Sequence, residues 1–202
     1  MRVKAFAAAA LVLAAAAVLA VRAQAPAPQA PPDPHAHHGA TSSPSADGWV
    51  RYRHEGVGYS LEHPADWAVN NAKGAVGVHL AHPTRPVHLY ASAFTMHDGT
   101  LEEFAEAKFG VQPDVFKPLG PPRPLQGEGW SGLVQEAETI QDAGQTRRRI
   151  LCAKHDSLYV SLALYADAKV LAEPDVDYER LFTSLRFETP AAAPTPSAAH
   201  PH

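Results

Sequence analysis

The chain has 202 residues and a net charge of −4, with 21 Asp and Glu against 17 Lys and Arg, an acidic balance that argues against nucleic acid as a partner. One cysteine, Cys152, excludes an internal disulfide, so an exported domain here must be held by its core alone. Hydrophobic residues at 46% and a length near two hundred suit one domain with a full core.

Arg2 and Lys4 precede an alanine-rich apolar run from Ala5 to Val21, and Ala23-Gln24-Ala25 has the small-x-small spacing of a signal-peptidase site. Residues 1–25 are expected to be a cleaved signal peptide, leaving a periplasmic or secreted protein without a membrane span. No cysteine follows the run to carry a lipid. Residues 26–48 are rich in Pro, Ala and His and lack large apolar side chains, so they read as a disordered linker. Residues 189–202 repeat that composition as a tail, which leaves one domain at 49–188.

Within the domain, apolar residues alternate with period two. Trp49–Arg53 and Gly58–His63 form a first expected hairpin around Glu55-Gly56. Glu62 falls on its solvent side. Ala75–His82 and Val87–Thr95 form a second, joined by Pro83-Thr84-Arg85-Pro86. With residue 82 opposite residue 87, Val76, Val78, Leu80, Val87, Leu89 and Ala91 share a core face, and His79, His88 and Tyr90 share the other. Trp130–Ile140, Thr146–Lys154 and Leu158–Tyr165 complete a meander. Thr100-Leu101-Glu102-Glu103 is a capping box that opens a helix, with Leu101, Phe104, Ala105 and Phe109 on its apolar stripe and Gly110 at its end. A second helix is expected from near Pro174, carrying Tyr178, Leu181, Phe182 and Leu185 inward, before a short strand at Leu185-Arg186-Phe187.

The stretch GYSLEHPADWAV (58–69) ends a strand on Pro64, which has no amide for a sheet ladder and whose fixed φ suits the second position of a type I turn. Trp67 can then fold back over the sheet as an aromatic plug. This aromatic-x-apolar strand followed by Pro-x-x-Trp resembles the PsbP-like superfamily, which includes the PsbP subunits of photosystem II, the Ran-binding Mog proteins and bacterial DcrB-like envelope proteins. The order of elements over 49–188 is similar too. The resemblance implies an α+β fold, an α/β/α sandwich around a mainly antiparallel sheet. It also implies a role in binding or assembly rather than catalysis, and it carries no catalytic signature onto this chain.

Residues that could carry chemistry have plainer readings. Gly129-Trp130-Ser131-Gly132-Leu133 lacks the last glycine of a nucleophile elbow and continues as a strand where the elbow needs a helix. Cys152 follows Ile150-Leu151 and reads as a small buried hydrophobe. Glu102, Glu103 and Glu106 lie on the polar side of their helix. Arg147-Arg148-Arg149 alternates sides along a strand and reads as solvated strand-edge charge.

Histidine is the exception, at twelve residues. His35, His37 and His38, with Asp33 beside them, are candidate ligands for zinc or copper. His79 and His88 make only a two-ligand site. The sequence points to a non-catalytic exported binding module of the cell envelope, its partner an envelope protein or a small ligand. Metal binding through the His-rich arms is the alternative, and an enzyme of unrecognised type the third.

Overall fold

Period-two alternation becomes two antiparallel sheets in the computed structural model, which describes residues 40–41, 43–54, 56–71, 76–141, 145–173 and 177–188. All of these belong to the compact unit Ala36–His202. The first elements are strands β1 (Ala40–Thr41), β2 (Trp49–His54), β3 (Tyr59–Pro64), β4 (Ala68–Asn70), β5 (Gly77–Ala81) and β6 (Val87–Thr95). Helix α1 (Leu101–Phe109) follows, then β7 (Phe116–Pro118), β8 (Arg123–Gly127), β9 (Trp130–Thr139), β10 (Thr146–His155) and β11 (Leu158–Asp167). Short helices α2 (Ala168–Leu171) and α3 (Tyr178–Thr183) lead to β12 (Arg186–Phe187).

The large sheet runs β4-β5-β6-β11-β10-β9-β7, with β8 also on β9. β9 is long enough to seat both short strands on one edge: β8 pairs with its start and β7 with its end. The β5–β6 register sets Val78 opposite Ala91 and Leu80 opposite Leu89, the pairing that the four-residue loop requires. Val76 is the departure, since it lies just before β5 and is exposed.

The first hairpin does not join this sheet. It builds a second one, ordered β1-β2-β3-β12, because β3 takes the chain's last described strand as its other neighbour. Tyr52, Tyr59 and Leu61 point from this small sheet into the main core, where Trp67, Leu181, Phe182 and Leu185 join them. They meet the inner face of the large sheet, on which Leu80, Leu89, Leu151 and Leu162 are wholly buried. Each such leucine contributes roughly 1.5–3 kcal/mol by leaving water. On the outer face α1 lays Phe104 and Ala105 against Ile150, Cys152 and Tyr159. The result is an α/β/α sandwich, with α3 and the small sheet sharing one outer layer.

Local chemistry explains both main helices. The Thr100 hydroxyl accepts from the Glu103 amide, and the Glu103 carboxylate accepts from the Thr100 amide, closing the capping box. Gly110 ends α1 in a right-handed conformation, so its glycine freedom is not used there. α3 begins later than its sequence suggests: Asp177 caps it by accepting from the Arg180 amide, and Pro174 lies outside the described residues.

Candidate functional site

Pro64 ends β3, and its carbonyl accepts from the Trp67 amide at 3.1 Å. Pro64 is therefore the first residue of the turn, not the second. The same carbonyl takes the Nδ1 proton of His63 at 2.8 Å, which fixes that imidazole's tautomer. Burial holds the His63 pKa below its usual value. Trp67 folds back into the main core and is 4% exposed. Glu62, on the other side of β3, is no solvated bystander. It accepts from Arg51 at 2.6 Å and Arg180 at 2.8 Å, and Arg180 also reaches Asp47 at 2.6 Å. This network ties α3 to the first hairpin.

The outer face of the large sheet is partly open, because α1 covers its β9–β10–β11 side and the Phe94 end of β6 but not the rest. Beyond the helix, β5, β6 and β11 present an aromatic row. His79 and Tyr90 are cross-strand partners whose rings stack at 4.4 Å with planes 8° apart. His88 also stacks on His79, with ring centres 5.3 Å apart and Nε2 of His79 and Nδ1 of His88 at 3.1 Å. One imidazole donates and the other accepts. Burial, and then the neighbouring His88, push the His79 pKa down. Tyr90 meets Tyr165 edge-on at 5.8 Å and remains 44% exposed. Sequence alternation had grouped His79, His88 and Tyr90. Tyr165 was missed because its face depends on the β6–β11 register, in which it stands opposite His88.

Arg148 anchors the covered end of this row and corrects the reading of the basic run. β10 is an interior strand, and Arg148 is 2% exposed. Its guanidinium donates to the carbonyls of Phe109 and Val111 at 3.0 and 2.8 Å and lies over the Phe116 ring. The end of a helix leaves carbonyls without amide partners and carries the negative end of the dipole, so a cation there is doubly favoured. Arg147 pairs with Glu138, and Arg149 with Glu136 and Glu179, so the run makes no basic patch.

Other sequence candidates are structural in geometry. Ser131 is an exposed strand residue of β9, opposite Lys154. Gly132 is needed for close packing, since a Cβ there would lie 2.9 Å from the Cys152 carbonyl oxygen. Gly129 takes a positive φ of +74° in the turn before β9. Cys152 is fully buried, and burial pushes its thiol up to about 12. Glu102, Glu103 and Glu106 are exposed on α1. His35, His37 and His38 lie outside the described residues. Among the described residues no group of three or more His, Cys, Asp or Glu could hold a metal ion, and no helix is long and apolar enough to cross a membrane.

No family model and no curated protein matches the chain. Solved structures do. The solution structure of cyanobacterial PsbP (CyanoP) from Synechocystis sp. PCC 6803 superposes with a TM-score of 0.57 at 13% identity, covering 74% of this chain and 98% of that one. A crystal structure from Bacteroides thetaiotaomicron VPI-5482 aligns at 13% identity with a TM-score of 0.49, over 69% of this chain and 48% of that one. The domain has a PsbP-like fold.

Proposed function

We propose that the chain is an exported, non-catalytic accessory module of the cell envelope, periplasmic or secreted, that holds a partner protein on the open side of its large sheet. The observation that carries this reading is the His88–His79–Tyr90 stack, presented on a rigid sheet with Tyr90 44% exposed. Aromatic rings on a stiff scaffold contribute area at little entropic cost and are enriched at interface hot spots. Imidazoles beside them can donate or accept hydrogen bonds. The surface is an open face rather than an enclosed cavity, which favours a protein partner over a small ligand. A photo-crosslinking residue at position 90 should capture an envelope protein in cells, and one at the exposed Glu128 should not. Equal capture from both positions, or capture that survives His79→Ala with Tyr90→Ala, would remove the reading. N-terminal sequencing of the exported protein should start at or near Pro26.

A second reading is transition-metal binding, favoured by the 3.1 Å between the facing nitrogens of His79 and His88. Two imidazoles on one zinc, at about 2.0–2.1 Å each, sit about that far apart. Two ligands alone hold zinc or copper loosely, whereas His35, His37 and His38 offer three in a separate site. Calorimetry with zinc separates the two. Alanine at 35, 37 and 38 should abolish the stronger binding without changing domain unfolding. Zinc held at His79 and His88 should instead raise the unfolding temperature.

A further inference from the structure

On the β9 side of α1, away from the histidine row, a groove of about 420 Å³ opens between the helix and the β7–β8 connection. Its floor is Ala105, Phe109 and Leu133, and Pro118 and Pro122 form the far wall. Small-ligand pockets start at roughly 300 Å³, so there is room for one or two aliphatic side chains. The rim is acidic. Glu102 and Glu106 are one helical turn apart along this edge, both exposed, and neither has an ion-pair partner among the described residues. The helix's one lysine, Lys108, turns to the opposite flank, where its ammonium lies 3.9 Å from the centre of the Phe94 ring.

We infer that this groove receives a segment of another protein, one that inserts an aliphatic side chain between Phe109 and Leu133 and sets a Lys or Arg against Glu102 and Glu106. Charge decides between occupants. Residues 26–48 and 189–202 contain no lysine or arginine, so the chain's own arms bring neither side chain to the rim. An apolar floor with two adjacent carboxylates selects an aliphatic-cationic segment and repels an aliphatic-anionic one. The groove is distinct from the histidine row, and either can fail without the other.

The test uses the full mature chain, labelled for amide NMR, and a short peptide of two leucines flanked by lysines. Chemical shifts should move at Ala105, Phe109 and Leu133 and leave His79 and Tyr90 unmoved. The same peptide with glutamates for lysines should bind about fivefold more weakly or worse, the scale of two exposed ion pairs. Glu102→Gln with Glu106→Gln should erase that preference while the unfolding midpoint stays within error. Equal affinity for both peptides, shifts centred elsewhere or no binding of the lysine peptide would overturn the proposal. So would concentration-dependent shifts at the same residues without peptide, which would assign the groove to a second copy of the chain.

Discussion

The two faces of the large sheet share every backbone hydrogen bond but not their chemistry. The inner face is aliphatic across its centre, from Val78 and Leu80 through Leu89, Leu162 and Leu164 to Leu151, where the small sheet and α3 seal it, and only its margin carries the Arg147 and Arg149 ion pairs. The outer face mixes Cys152, Ser161, Tyr159, Tyr165, Arg148, His79 and His88, and a single nine-residue helix covers part of it. A strand can devote one side to stability only when the other is free to vary, because successive side chains point to opposite faces. Stability therefore concentrates inside, and the surface open to partners lies outside.

The sharpest way to break this contrast is Trp67→Ala. Trp67 closes the inner core, so its loss should cost about 3–5 kcal/mol in urea unfolding. A change below about 1 kcal/mol would mean that the inner layer is not sealed there.

Arg148→Met comes next, as a charged outer-face residue that is buried like core. It should cost about 2–4 kcal/mol, since the Phe109 and Val111 carbonyls lose their donors under the helix. Arg148→Lys should recover only part, because an ammonium cannot reproduce the planar guanidinium fork.

Glu62 sharpens the comparison at the rim of the inner layer. Glu62→Gln should cost about 1 kcal/mol at neutral pH, a network value discounted for partial exposure. Partial burial pushes this carboxyl up, but hydrogen bonds from Arg180 and Arg51 outweigh burial and hold it below its usual 4.5. A folded value below the unfolded one means that the stabilisation is full above about pH 4.5 and is lost as pH falls through the folded value. The difference between wild type and Glu62→Gln should therefore shrink as pH falls below about 4.5 and through the folded value.

The smallest effect belongs to the open face. Tyr90→Ala should change stability by about 0.5–1 kcal/mol, the worth of one exposed cross-strand aromatic pair. A loss near that of Trp67→Ala would show that the histidine row is core, and would remove it as a docking surface.

Much of this was legible in the chain. Strict alternation identifies β2, β3, β5, β6 and the β9–β11 meander, because a one-residue slip would put the same side chains in water. The capping box announces α1 through chemistry that lies within four residues. The β5–β6 register follows from a four-residue loop, and with it the shared face of His79, His88 and Tyr90. The short edge strands β4, β7 and β8 were not legible, since three to five residues carry too little period and their pairing is supplied by long neighbours.

The residues themselves determined which side of each long strand is apolar, where α1 starts and that Cys152 has no second cysteine among these 202 residues. Tertiary structure alone decided that the first hairpin leaves the large sheet for β12, because strand partners as far apart in sequence as Ser60 and Arg186 leave no local signal. It also decided that Arg148 is buried while Arg147 and Arg149 form surface ion pairs. Three identical side chains in a row differ only in what the fold sets against them: α1's unpaired carbonyls lie on one side of β10, and carboxylates lie on the other.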